Sequence, residues 1–84
     1  MESNEIIRKQ IFEIIANQRK ANDPRETNLA FKRLIDMGYT EYETKQLIGQ
    51  CVAVEIYDLL KLRRPFDIER YIRNLNKLPE EPFD

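Results

Sequence analysis

The sequence predicts an all-α protein, a small four-helix domain in which helices 1, 2 and 4 pack around a long central helix 3. Three observations carry this prediction. The stretch Thr40 to Leu62, TEYETKQLIGQCVAVEIYDLLKL, places apolar residues at helical spacing on nearly every side. Residues that start and stop helices punctuate the chain on either side of it. No run of β-branched residues alternates with polar ones, so strands have no support. The 84 residues suit one domain, 1–84, with a single core.

The first helix is expected at about 4–20. Ser3 or Asn4 would cap it, Ile7, Ile11, Ile14 and Ile15 would form its apolar stripe, and Phe12 would lie at the border. Arg8, Lys9, Glu13 and Lys20 would make its solvated face. Asp23 as cap, Pro24 at the first helical position and Glu26 three residues after the cap then signal a second helix over 24–37. It should bury Ala30, Phe31, Leu34 and Ile35. Gly38 stops it, because glycine most easily takes the left-handed conformation of a helix end.

Thr40 followed by Glu43 is the pattern of a reciprocal side-chain cap, and it opens the central helix at 41–62. Leu47, Ile48, Cys51, Val52 and Leu59 cover one arc of it; Ala53, Ile56, Tyr57 and Leu60 cover much of the other. Pro65 disfavours helical geometry at Arg64 and ends the helix near Leu62. Asp67 caps a fourth helix at 68–77, with Ile68, Ile72 and Leu75 on one stripe, Tyr71 beside it and Leu78 closing. Pro79 ends that helix, leaving a loose tail at 79–84 with Phe83 tucked back or free.

Charge excludes some functions. The chain carries 14 basic and 15 acidic residues, a net charge of −1, so the whole molecule has no field that steers nucleic acid or an anionic membrane. No stretch reaches the roughly 18 apolar residues that span a bilayer, and the N-terminus lacks the apolar run of a signal peptide. The single cysteine suits a reducing compartment, so the expectation is a cytoplasmic protein with no membrane partner.

Catalytic chemistry finds little footing. Histidine is absent, which removes the commonest general base and the commonest metal ligand. Zinc is close to excluded with one cysteine and no histidine. Glycine-rich phosphate loops are absent, and the acidic pairs Glu41/Glu43 and Glu80/Glu81 lack a calcium-loop spacing. Cys51 reads as a structural core thiol. The expectation is a protein that is not an enzyme, with no catalytic, cofactor-binding or metal-binding residues and no cofactor.

Two features remain as candidate sites. Glu55 falls amid Ile48, Cys51, Val52 and Leu59, and buried glutamates are rare unless paired. It is expected either to take a hydrogen bond or ion pair from an arginine, a tyrosine hydroxyl or a helix N-terminus, or to face a ligand as a carboxylate of raised pKa. The cluster Lys61, Arg63, Arg64, Arg70, Arg73 and Lys77 is denser in positive charge than the rest. It reads as helix-end compensation and a solvated face, or as a patch for an acidic partner or phosphate backbone.

The Gly38-Tyr39 corner between helices 2 and 3 has the outline of a helix-turn-helix, but the would-be recognition helix is mostly apolar after Gln46 and cannot read base edges. The string Leu34-Ile35-Asp36-Met37-Gly38-Tyr39, followed by Thr40-x-x-Glu43, is similar to the first helix and loop of ubiquitin-associated domains. More widely, Pro24-Arg25-Glu26, Leu34, Gly38, Thr40-x-x-Glu43, Ile48, Glu55-Ile56-Tyr57, Arg64-Pro65-Phe66-Asp67, Arg70-Tyr71 and Leu75 resemble small uncharacterised bacterial helical proteins, grouped as a domain of unknown function. That resemblance implies an all-helical cytoplasmic domain of prokaryotic type and carries no established activity. Positions where members place histidine hold Tyr42 and Gln46 here.

The functional expectation is a small interaction or regulatory module with a protein partner or itself. The alternative is a nucleic-acid or phosphate-binding protein using the Lys61–Lys77 face; nucleic acid is the less favoured partner. Three short helices with narrow stripes can cover only part of so apolar a central helix. The leftover area points to a homodimer, or to a monomer that keeps one apolar groove, with Phe12, Tyr39, Tyr42 and Phe83 near the thin cover.

Overall fold

Four helices form in the order expected. A computed structural model describes residues 2–81, with side chains described from Glu5, and gives α1 over Glu2–Ala21, α2 over Arg25–Asp36, α3 over Glu41–Lys61 and α4 over Ile68–Lys77. Helix α3 is the longest, at 21 residues or about 30 Å. It packs against α1, α2 and α4, and α2 also packs against α1 and α4.

Local chemistry sets most of the helix boundaries. Thr40 and Glu43 form the reciprocal cap of α3: the Glu43 N–H donates to Thr40 Oγ1 at 3.1 Å and the Thr40 N–H donates to Glu43 Oε1 at 2.9 Å. Asp67 caps α4 by accepting the Arg70 N–H at 3.1 Å. Gly38 takes φ +104° after α2, and there the Tyr39 N–H returns to the Leu34 carbonyl and the Gly38 N–H to that of Ile35.

Two expected caps fail. Helix α1 already runs at Glu2, so Ser3 and Asn4 lie within it and not at its start. Asp23 does not cap α2 and Pro24 is not its first helical residue. Pro24 itself holds the cap position, extended at ψ 147° with no side-chain hydrogen bond. The residues before it are already committed to ending α1. Asn22 adopts φ +53°, and the N–H groups of Asn22 and Asp23 turn back to the carbonyls of Arg19 and Gln18. The joint is too short to close one helix and cap the next with the same residue.

The end of α3 comes earlier than Pro65 requires. Arg63 turns the chain at φ +53°, and the N–H groups of Leu62 and Arg64 both donate to the Asp58 carbonyl. At the far end, the Glu80 N–H folds back on the Lys77 carbonyl at 2.9 Å, so the tail begins as a turn. Phe83 lies outside the described residues.

The core is built from Ile11 and Ile15 of α1, Ala30, Phe31 and Leu34 of α2, Ile48, Cys51 and Val52 of α3, and Tyr71, Leu75 and Leu78 at α4. Four apolar expectations do not hold. Ile7 is 41% exposed and Ile35 37% exposed, each at the edge of its stripe. Ile68 is also exposed and Ile72 only half-buried, because α4 turns Tyr71, Asn74, Leu75 and Leu78 inward instead.

Candidate functional site

Glu55 is fully buried, and its carboxylate is saturated by α4. Oε1 accepts the Asp67 N–H at 2.8 Å and Arg70 Nη2 at 3.0 Å; Oε2 accepts Arg70 Nε at 2.7 Å. Arg70 Nη2 also donates to Asp58 Oδ2 at 2.6 Å. Hydrogen bonds donated to Glu55, then to Asp58, push the guanidinium pKa up and hold it charged. The arrangement is a lock between α3 and the start of α4. A second buried polar cluster links α1, α2 and α4: Tyr71 Oη and Thr27 Oγ1 both donate to Gln18 Oε1, at 2.7 and 2.8 Å.

The lock takes Arg70 out of the basic cluster. Its guanidinium faces two acids, whereas Lys61, Arg63 and Arg64 are exposed at the α3–α4 joint and Arg73 and Lys77 are exposed on α4. Glu69, Glu80 and Glu81 are exposed among them, so the surface there is mixed in sign. Cys51 is fully buried, and burial pushes its thiol up to about 12, the opposite of a reactive thiolate. Among the described residues, no three side chains of metal-ligating type converge.

The surface that stands out is the outer side of α3. Its buried side points Ile48, Cys51, Val52, Glu55 and Asp58 inward. The other arc is not wrapped: Tyr57 is 60% exposed and Leu60 64%, and Ala53 is exposed beside them. Between Lys45 and Lys61 the only charges are Glu55 and Asp58, both buried, so this stretch of a surface helix shows water no charge at all. In a chain that is 35% charged, that is an unusual face.

Helix α1 crosses α3 at Gly49. A Cβ on Gly49 would stand 3.3 Å from Ile11 Cγ2, so the missing side chain lets the two helices approach. The crossing creates a seam with two neighbouring hollows that share Ile7, Ile11 and Ala53 in their linings. One, about 240 Å³, runs between Ile7 and the Ala53, Ile56, Tyr57 and Leu60 side of α3 and ends at Lys61. The other, about 420 Å³, continues past Phe12 to Gln46 and Gln50. Phe12 packs edge-on against Tyr42 at 6.1 Å; Phe12 and Tyr39 are half-buried, whereas Tyr42 is exposed, as are Tyr57 and Leu60 further along α3. The sequence signal for this face was the stretch from Gln46 to Leu60, whose only charges are Glu55 and Asp58 and whose other positions read as apolar periodicity.

Among the described residues no helix is long and apolar enough to cross a membrane. Comparison with protein-family models, curated proteins and solved structures finds no match to the chain.

Proposed function

We propose that this chain is a non-enzymatic protein-interaction module of the cytoplasm, and that its working surface is the uncharged outer side of α3 with the adjoining α1 seam. The observation that carries this reading is the exposure of Tyr57 and Leu60 on a helix that shows no charge between Lys45 and Lys61. Large exposed apolar patches rimmed by polar residues mark association sites, and tyrosine suits such sites because its ring is apolar and its hydroxyl is wet. The polar groups most able to do chemistry are otherwise employed: Glu55 and Asp58 hold Arg70, and Cys51 is enclosed. A nucleic-acid role would have to rest on Lys61, Arg63, Arg64, Arg73 and Lys77 without Arg70, among interleaved acids.

Site-specific photocrosslinking in cells of the natural source tests the reading. A photoreactive residue in place of Tyr57 should yield a discrete protein adduct, and the same group in place of the exposed Lys32 on α2 should not. No adduct at position 57, or the same pattern at both positions, overturns it.

A further inference from the structure

We infer that the occupant of this face is a second copy of the chain, with the two α3 helices paired antiparallel across a two-fold axis near Cys51 and Val52. This rests on the reading of the face as an interaction surface and names its partner. The face is complementary to itself. The exposed stripe of α3 runs Glu43, Gln46, Gln50, Ala53, Tyr57, Leu60, Lys61. Its two ends have opposite charge and its middle has none. In an antiparallel pair, Gln50 lies opposite Ala53 of the second copy, Gln46 opposite Tyr57, and Glu43 opposite Lys61, and each pairing occurs twice by symmetry. A parallel pair would instead bring Glu43 to Glu43 and Lys61 to Lys61, like against like.

The ends reinforce the choice. Glu41 and Glu43 occupy the first turn of α3, while Lys61 lies in the last and Arg63 and Arg64 follow it. Neither Glu43 nor Lys61 has an ion-pair partner among the described residues. Glu43 spends one oxygen on the Thr40 N–H, which fixes its side chain at the helix start. The extent of the face is also of the right order. Tyr57, Leu60, Ala53, Ile56 and Ile7 offer an apolar patch of roughly a few hundred Å², and the glutamines and terminal charges around it bring the total toward the roughly 800 Å² per partner of a standard interface.

Sedimentation of the full chain from low micromolar to near millimolar concentration tests the inference. The mass should pass from one chain to two. Tyr57→Arg, which inserts charge into the uncharged part of the exposed stripe, should raise the dissociation constant about tenfold or more while the helical signal is unchanged. Charge exchange tests the register. Glu43→Lys and Lys61→Glu chains should each dimerise more weakly than the parent, since each brings like charges together. Their equimolar mixture should recover the parent affinity, because both pairs become opposite again. A parent that keeps the mass of one chain throughout, a dimer indifferent to Tyr57→Arg, or a mixture no tighter than its components overturns the inference. A single-chain mass together with a position-57 adduct to a different protein overturns the self-pairing alone and leaves the interaction reading standing.

Discussion

Arg70 and Glu55 form a two-point ion pair across the α3–α4 joint, Nε to Oε2 at 2.7 Å and Nη2 to Oε1 at 3.0 Å, and the glutamate has no exposure at all. The pair sits where the chain has just turned at Arg63 and must begin α4 in one orientation only. Because Asp58 shares the same guanidinium, one arginine serves two acids.

Removing Arg70 therefore leaves two buried acids without a counter-charge. Arg70→Ala should cost about 3–5 kcal/mol, Glu55→Ala about the same, and Asp58→Ala clearly less because Asp58 is the more open acid. Joint replacement of Glu55 and Arg70 by methionine should cost less than the sum of the two single changes. Urea denaturation of the four variants checks the order; equal losses for Arg70→Ala and Asp58→Ala would show that the shared arginine is not the centre of the lock.

The helix starts give a contrast rather than a uniform loss. Thr40→Ala and Asp67→Ala should each cost about 1 kcal/mol, because each removes a side-chain acceptor from a free N–H. Asp23→Ala should cost nothing measurable by that route, since Asp23 caps no helix. Thermal melts of the three, compared side by side, decide it: a loss at Asp23 equal to that at Thr40 would restore the cap that the structure denies.

Gly38 should resist substitution for a reason of backbone alone. A Cβ there meets nothing within 4 Å, yet φ is +104°, a conformation L side chains rarely adopt. Gly38→Ala should cost about 1–3 kcal/mol, read from a chemical denaturation midpoint. A stabilised variant would mean that α2 and α3 run on as one rod.

Tyr71 provides a pH test. Burial pushes its hydroxyl up from 10.0 to about 12, with hydrogen bonds to Thr27 and Gln18 opposing the rise. The unfolded chain then gives up this proton near pH 10 while the folded chain keeps it to about 12. Folded stability is thus full below pH 10 and falls as pH rises from 10 to about 12, by about 2–3 kcal/mol for this group. Tyr71→Phe should lose about 1 kcal/mol at pH 7, where Thr27 and Gln18 still bond to each other, and should show a shallower decline above pH 10. Denaturation at pH 7, 9 and 11 checks both statements.

What the sequence made legible was what neighbours in the chain decide. The Thr40–Glu43 cap, the Asp67 cap and the Gly38 stop are each complete within four or five residues, so their chemistry can be read directly. Glu55 announced itself by breaking the apolar arc, and its partner was of an expected kind. What lay beyond reading was which side of a helix its neighbours cover. Periodicity put Ile68 and Ile72 on the inner stripe of α4, but the Tyr71 hydroxyl had partners waiting in Gln18 and Thr27, 53 and 44 residues away, and that pairing turned the helix. The same blindness hid the candidate face: a wheel shows α3 apolar on both arcs and cannot say that α1, α2 and α4 all gather on one. Arg33 likewise looks like a surface residue until its guanidinium is seen holding the Leu75 and Leu78 carbonyls that end α4.

Helix α3 has two unlike sides, one enclosed by its own chain and one left open. Thiol labelling of the native Tyr57→Cys protein at high dilution measures this most directly, because Cys51 in the same helix is its internal control. Position 57 should be modified at a rate close to that of an unfolded peptide, with Cys51 protected until the fold opens. Equal, slow labelling at both positions in the dilute protein would contradict it, for it would mean that the chain wraps α3 on every side.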